Sequence, residues 1–295
     1  MSDKAQPMVI ETITQMQRWS DERRAEGLRI GFVPTMGYLH TGHLGLVDIA
    51  RERADLVVAS IFVNPTQFGP NEDLARYPRD FQGDYAKFAQ HGTHVVFCPS
   101  ADEMYPEGYS TYVRVEGLSD GLCGVSRPVH FRGVATICLK LFNMVKPHVA
   151  VFGKKDYQQW SVIRRLVRDL HLEIEVVGGT TAREPDGLAM SSRNAYLQPD
   201  ERTAALCIKR GLESAKQAFN QNEREVKKLI DLAKASIEAQ PLARIDYVEI
   251  VDAENLQPLQ GRVEQDACLA AAAYLGKTRL LDNVELSVAD GRRAP

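Results

Sequence analysis

The chain has 295 residues, 44% hydrophobic and 25% charged, with a formal net charge of −3. That is the make-up of a globular protein of one large or two ordinary domains, long enough to bury a core. The slight acidic excess excludes a broad nucleic-acid-binding face, which needs a basic surplus, and no run of about 18 apolar residues offers a transmembrane span.

The opening MSDKAQPMVIET lacks the apolar stretch of a secretory leader. LRIGFVP (28–34) reads as a buried strand, and a helix starting near His43 runs through LGLVDIARERA. DLVVASIFVN (55–64) is a second strand, RDFQGDYAKFAQHG an amphipathic helix stopped by Gly92, and THVVFCP a third strand. VATICLKLFNMVKP then reads as helix, HVAVFG as strand, DYQQWSVIRRLVRDL as helix and LEIEVVG as strand. This alternation implies an α/β fold, a Rossmann-like parallel sheet with helices on both faces.

The pattern changes after Arg183. Two polar helices (200–219 and 223–239) are followed by strand-like ARIDYVEIVDA, CLAAAAYLG and TRLLDNVEL. These predict a smaller α+β C-terminal domain, with the division at 1–183 and 184–295. The five cysteines (Cys98, Cys123, Cys138, Cys207, Cys268) are widely spaced, show no metal-ligand pairing and in several cases sit in apolar runs. They read as small buried hydrophobes in a reducing compartment, so a cytoplasmic location without membrane or nucleic-acid partner is expected.

The strongest chemical signal is PTMGYLHTGH (34–43), which leaves the first strand and opens the first helix. Gly37 and Gly42 let backbone approach a ligand closely. A helix N-terminus offers N–H groups and a positive dipole end to phosphate, and His40 and His43 of the HxGH signature can donate to phosphate oxygens. In an open α/β sheet this turn falls where ligands bind. The plain alternative is a pair of helix-capping or solvated histidines. FGKKDYQQ (152–159) also leaves an apolar strand; Lys155 suits phosphate and Asp156 a ribose hydroxyl, or the segment is a solvated turn with a capping aspartate. GLAMSSRN (187–194) sets Ser191, Ser192 and Arg193 together as polyphosphate ligands or as a polar hinge loop. VNPTQFGP (63–70) offers neutral Asn64 and Gln67 for hydroxyls or a carboxylate, or is merely a turn. Arg127, His130 and Arg132 cluster before the next helix, where surface charge is as good a reading as function.

Taken together, PTMGYLHTGH, VNPTQFGP, RYPRD, RPVHFRGV, KLFNMVKP, FGKKDYQQ, REPDGLAMSSRN, LQPDER and GKTRLLDN resemble, in order and across nearly the whole chain, the pantothenate synthetase family of the HxGH nucleotidyltransferase superfamily. The resemblance implies a Rossmann-like ATP domain, a C-terminal lid domain, a homodimer and Mg2+ accompanying ATP. It implies condensation of (R)-pantoate with β-alanine to pantothenate, with AMP and pyrophosphate released, a step of coenzyme A biosynthesis. Carried over by position, Met36, Gly37, Tyr38, Leu39, His40, Thr41, Gly42 and His43 would line the ATP site, with His43 as proton donor. Gly153, Lys154, Lys155, Asp156, Ala182, Met190, Ser191, Ser192 and Arg193 would complete it. Gln67, Gln159, Asn64 and His130 would serve pantoate and β-alanine, and Asp84 would assist the metal. His43, His40 and Lys155 are the expected catalytic group. Two positions depart from the family: Val129 stands where glycine is usual, and Thr181-Ala182 where Pro-Val is common.

The mechanism then expected is attack of the pantoate carboxylate on the α-phosphorus, followed by attack of the β-alanine amine on the mixed anhydride. A pure nucleotidyltransferase would want a basic acceptor pocket, whereas Gln67 and Gln159 are neutral. A non-catalytic nucleotide-binding scaffold would lack the phosphate-charge residues, all of which are present.

Overall fold

The computed structural model describes residues 6–70 and 72–288; part of the stretch on which the absence of a leader was read lies outside them. In chain order the elements are β1 (Met8–Ile10), α1 (Ile13–Ala25), β2 (Ile30–Thr35), α2 (Thr41–Arg51), β3 (Leu56–Ile61), α3 (Phe81–Gln90), β4 (Val95–Phe97), α4 (Ala101–Met104), α5 (Cys123–Ser126), α6 (His130–Val145), β5 (Val149–Gly153), α7 (Tyr157–Asp169), β6 (Glu175–Gly179), α8 (Pro199–Ala204), α9 (Leu206–Asn220), α10 (Val226–Glu238), β7 (Ala243–Asp252), β8 (Ala267–Leu275) and β9 (Thr278–Leu286). Several details differ from the sequence reading, among them the short helices α4 and α5, which it does not contain. The three-residue β1 carries too short a pattern to be seen. Helix α6 starts at His130, ahead of its apolar run, and the first C-terminal helix is divided at Ala205 into α8 and α9.

The chain divides into two compact units. The first comprises Met1–Val115, Arg127–Lys154 and Val162–Thr181; the second comprises Glu116–Ser126, Lys155–Ser161 and Ala182–Pro295.

In the first unit six strands form one parallel sheet in the order β1-β4-β3-β2-β5-β6. From β2 the chain builds outward through β3 to β4, then returns to place β5 on the other side of β2, so the order reverses between β2 and β5. Alternation along the strands separates two cores. Val33, Val57, Ala59, Val96, Val149 and Val151 pack with Leu44, Val47 and Ala50 of α2 and Phe88 of α3. Phe32 and Phe152, one residue off that register, each meet Phe142 of α6 edge-on at 6.4 Å. Side chains of period two point to opposite faces, so α2 and α6 cover opposite faces of the sheet as expected. Truncating the fully buried Phe32 to alanine would cost about 3–5 kcal/mol.

Two histidines start strands in the same way. The backbone N–H of His94 donates to Val57 O at 2.9 Å while its Nδ1 accepts from Val57 N–H at 3.0 Å. His148 repeats the pairing with Ile30, at 2.8 and 2.9 Å. An accepting Nδ1 means a neutral ring with its proton on Nε2. Burial, with Arg51 beside His94 and Arg24 and Arg29 beside His148, holds both below the ordinary value of 6.5.

In the second unit β7, β8 and β9 form an antiparallel sheet covered by α9 and α10. Leu212, Leu229, Ile237, Leu269, Ala271 and Ala273 lie in its core. Gly211 sets the approach of the two helices, since a Cβ there would stand 2.4 Å from Ala233 O. The segment containing α5 joins this unit through Cys123, whose Sγ is 3.3 Å from the Tyr247 hydroxyl and 3.5 Å from the Arg279 guanidinium. Arg279 in turn pairs with Asp246 at 2.7 Å. All five cysteines are free, four of them buried and Cys98 half-buried. Burial pushes the Cys98 thiol up to about 11 and that of Cys138 to about 12, the behaviour of packing residues rather than nucleophiles. Among the described residues, no helix is long and apolar enough to cross a membrane.

Candidate functional site

Ligands of open α/β sheets sit beyond the carboxyl ends of strands where the order reverses. Here that position lies between β2 and β5, and the expected HxGH turn leaves β2 there. Thr35 ends the strand by donating its hydroxyl to Ser60 O at 2.7 Å and accepting the Gly37 N–H at 3.1 Å. Gly37 (φ +82) has no room for a side chain, because a Cβ would lie 2.9 Å from Asp84 Oδ2. Tyr38 follows with φ +51, a left-handed conformation disfavoured for a side-chain-bearing residue. Asp84, 1% exposed, holds it there, accepting the N–H groups of Tyr38 at 2.6 Å and Leu39 at 2.7 Å. Lys87 closes the ring by donating to Leu39 O at 2.8 Å.

Asp84 thus serves the backbone of the turn. Among the described residues, no group of three or more His, Cys, Asp or Glu side chains could hold a metal ion. Burial pushes the Asp84 carboxyl above its ordinary value of 3.8, against the pull of the Leu39 and Tyr38 N–H groups and of Lys87.

The turn delivers His40 in an extended conformation (φ −122, ψ 171) as N-cap of α2, which begins at Thr41, two residues earlier than the sequence suggested. The His40 N–H donates to His43 Nδ1 at 3.4 Å, and the two rings lie 4.0 Å apart. His43 spends Nδ1 on the cap, which places its proton on Nε2. Thr41 is exposed, and Gly42, His40 and His43 are half-buried, at the N-terminal end where helix N–H groups collect. Gly153 ends β5 beside them, in register with Gly179 of β6, and Lys154 follows.

The neutral pair also belongs to this unit. Pro65–Gln67 is a single 3-10 turn after β3. Asn64 (1% exposed) donates to Gln67 Oε1 at 3.0 Å and to Gly133 O at 3.1 Å. Gln67 (7% exposed) directs Nε2 to Met36 Sδ at 3.2 Å. Helix α6 presses on this turn: a Cβ at Gly133 would stand 2.6 Å from the backbone of Gln67 and Thr66. His130 (8% exposed) has Nδ1 at 3.0 Å from Gln67 O, and a carbonyl only accepts, so Nδ1 carries the proton. Val129 does not disturb this aim, because its φ −94, ψ −13 is open to any L-residue. Of the charged cluster, Arg127 grips Glu72 and reaches Gln67 O at 3.5 Å; Arg132 lies 4.8 Å over the Tyr112 ring.

In the second unit Lys155 and Asp156 finish a 3-10 turn, with Lys155 Nζ 3.6 Å from Asp156 Oδ1. Asn283 pins this turn by donating to Lys155 O at 2.7 Å. Its neighbour Asp282 takes both arms of Arg183, at 2.6 and 3.1 Å. Gln159 is half-buried, whereas buried Gln158 is structural, bonding Cys123 N–H, Leu118 O and Gly121 O at 2.8–3.0 Å. Ala182 accepts the Met190 N–H at 3.0 Å across a hairpin turned by Gly187 (φ +94). Ser191 caps the 3-10 turn Ser192–Tyr196 through Arg193 N–H at 3.3 Å. Asn194 anchors the segment to Glu184 and Ala189, at 2.9 and 3.1 Å.

Sequence reasoning missed the supporting residues Thr35, Tyr105, Gln158, Arg183, Asp282 and Asn283. The REPDG and LLDN segments lay inside matched motifs and could have pointed to Arg183, Asp282 and Asn283; Tyr105 carried no signal.

A doubly wound sheet with a histidine-bearing helix N-terminus at its reversal point is the frame of an α/β enzyme acting on a phosphate-bearing ligand. The family described as pantoate-beta-alanine ligase matches residues 8–285. Similar proteins include pantothenate synthetase of Myxococcus xanthus (strain DK1622), 54% identical over 95% of this chain and 96% of that one, and that of Syntrophus aciditrophicus (strain SB), 52% identical over 93% and 96%. The crystal structure of pantothenate synthetase from Thermus thermophilus superposes with a TM-score of 0.88 at 44% identity, covering 95% of this chain and 99% of that one. Pantoate-beta-alanine ligase from Francisella tularensis, solved in complex with beta-gamma ATP and beta-alanine, gives 0.76 at 33% identity over 94% and 97%. The chain belongs to the pantoate-beta-alanine ligase family and is a ligase.

Proposed function

We propose that the protein condenses (R)-pantoate with β-alanine to pantothenate at the expense of ATP, through a pantoyl adenylate. The observation that carries this reading is the 3.2 Å approach of Gln67 Nε2 to Met36 Sδ. It sets the neutral turn proposed for the acid against the turn proposed for phosphate, the adjacency that a carboxylate attacking an α-phosphorus needs. Pyrophosphate leaves in the first step. The β-alanine amine then attacks the acyl carbon, and AMP leaves.

His43 would donate from Nε2 to the α-phosphate oxygens as charge develops, with His40 and the helix N–H groups beside it. Asn64, Gln67 and His130 would orient pantoate and the incoming amine. On the family resemblance, Gly153, Lys154, Lys155, Asp156, Ala182, Met190, Ser191, Ser192 and Arg193 serve the nucleotide, Gln159 serves pantoate, and the second unit acts as the lid domain. Mg2+ suits the triphosphate itself; the protein offers it no cage among the described residues, so it would arrive with ATP and keep several waters. The neutral, buried character of Asn64 and Gln67 argues against adenylyl transfer to a phosphorylated acceptor. A cytoplasmic homodimer is the assembly proposed.

Incubation of the purified protein with ATP, pantoate and β-alanine tests the reading. Pyrophosphate should appear with ATP and pantoate, and pantothenate only when β-alanine is added. Hydrolysis of ATP indifferent to both acids would refute it.

A further inference from the structure

Every hydrogen bond of the Asn64 side chain is accounted for. The Gly133 carbonyl can only accept, so the Asn64 atom 3.1 Å away is the amide nitrogen. The second Nδ2 proton goes to Gln67 Oε1 at 3.0 Å. Oδ1 receives the Tyr105 hydroxyl at 2.7 Å and the Thr66 hydroxyl at 3.0 Å. Two protons given and two lone pairs filled leave Asn64 no second orientation. Gln67 Oε1 is thereby occupied, and the amide turns Nε2 toward Met36 Sδ at 3.2 Å. A thioether is a weak acceptor that a substrate oxygen readily replaces.

The Tyr105 ring is held separately from its hydroxyl. It meets Tyr109 edge-on at 5.0 Å, and Lys140 Nζ lies 5.4 Å from its centroid and 4.4 Å from that of Tyr109. Burial pushes the phenol up to about 12, so the proton stays in place at neutral pH.

We propose that Tyr105 is a positioning residue for the acid subsite: through Asn64 its hydroxyl fixes Gln67 as a hydrogen-bond donor, so that the subsite selects a substrate bearing an accepting oxygen at that point. The inference rests on the pantoate reading above and adds the polarity of the subsite and the residue that sets it.

Tyr105→Phe keeps the ring contacts and removes the hydroxyl, with its bond to Asn64 Oδ1 at 2.7 Å and its contact with Thr66 Oγ1 at 3.2 Å; Tyr105→Phe with Thr66→Val strips Asn64 Oδ1 of both donors. Steady-state kinetics should show the pantoate KM raised about tenfold in the single variant, the scale of one buried hydrogen bond, and further in the double. The ATP KM should stay within about twofold and the melting temperature within a few degrees, as expected for a local polar change. A merely structural tyrosine would instead raise all three KM values together and lower the melting temperature; that pattern, or an unchanged pantoate KM, overturns the proposal. Gln67→Glu, which only accepts, should abolish pantoate binding in titration calorimetry, and wild-type affinity in that variant overturns the donor assignment. A wild-type protein that neither binds pantoate nor releases pyrophosphate with it removes the functional reading and this inference together. An active wild type with indifferent variants removes this inference alone.

Discussion

Asp84 and Tyr38 stand 46 positions apart, and the carboxylate of one accepts the backbone N–H of the other at 2.6 Å, where Tyr38 takes a left-handed φ of +51. The bond ties α3 to the turn that aims His40 and His43. The turn is disfavoured locally and persists because a buried acceptor from another helix overdetermines it.

Asp84→Asn puts an N–H group where one of the two backbone donors now points. Losing one charge-assisted bond costs about 1.5–3 kcal/mol, so kcat should fall about 10- to 100-fold as the turn loosens. Extra Mg2+ should not restore it. Full recovery at high Mg2+ would show that Asp84 acts through the metal instead.

His43→Ala should fold normally, since the imidazole is half-buried rather than in a core. Pyrophosphate release in stopped flow should drop about 100- to 1000-fold, the cost of one transition-state donor. A rate within a few-fold of wild type would end its catalytic assignment.

Lys155→Ala should weaken ATP, and Gln159→Ala should weaken pantoate, in isothermal titrations run with each ligand separately. On the proposed roles, the first change removes a charge partner of phosphate and the second a neutral partner of pantoate. Two variants impaired equally for ATP would refute the division.

For Glu72, burial alone would raise the carboxyl, yet the Arg127 hydrogen bond and charge outweigh it and hold the group below 4.5. A depressed carboxyl adds stability that is present above its unfolded value and is lost as pH falls through the folded one. Glu72→Gln should therefore be less stable than wild type at pH 7, with the gap closing below about pH 4.5. Chemical denaturation at a series of pH values reads this directly, and a gap that does not change with pH contradicts it.

His94 and His148 act one step higher on the pH scale. Both are held below 6.5 by burial first and then by the arginines beside them, Arg51 at His94 and Arg24 and Arg29 at His148, and in the neutral ring Nδ1 accepts a strand N–H. Their contribution is present above pH 6.5 and is lost as pH falls through the lower folded values. Melting temperature should thus begin to fall below about pH 6.5, and His94→Asn should flatten that slope. A wild-type curve flat from pH 7 to about 5 would contradict it.

The sheet was legible because its strands are continuous apolar runs bounded by Gly, Pro and polar turns, the mark of burial on both faces. The HxGH turn was legible because a strand, glycines and a helix start fall in one stretch. What stayed hidden was support from afar. Asp84 is singled out only for a metal, its helix pattern marking it as one more polar residue, and only the fold shows that it faces Tyr38 and Leu39. Tyr105 lies in an irregular segment after α4, with no period to reveal that its hydroxyl reaches Asn64. Ser191 was read for phosphate, and its local bond to Arg193 N–H is capping geometry that a short hydroxyl residue makes at any turn start.

The allotment of Glu116–Ser126 to the second unit carries a consequence for the order of synthesis. Cys123 emerges from the ribosome 156 residues ahead of Arg279, one of its partners. At 5–20 residues per second that is a wait of roughly 8 to 30 s. During that interval the thiol and the short helix around it belong to no finished core, and the last strand to be made is the one that seals them. Late truncations of the chain should therefore unseat a segment near its middle, and a nascent chain halted before β9 should expose Cys123 to alkylation that the completed protein resists.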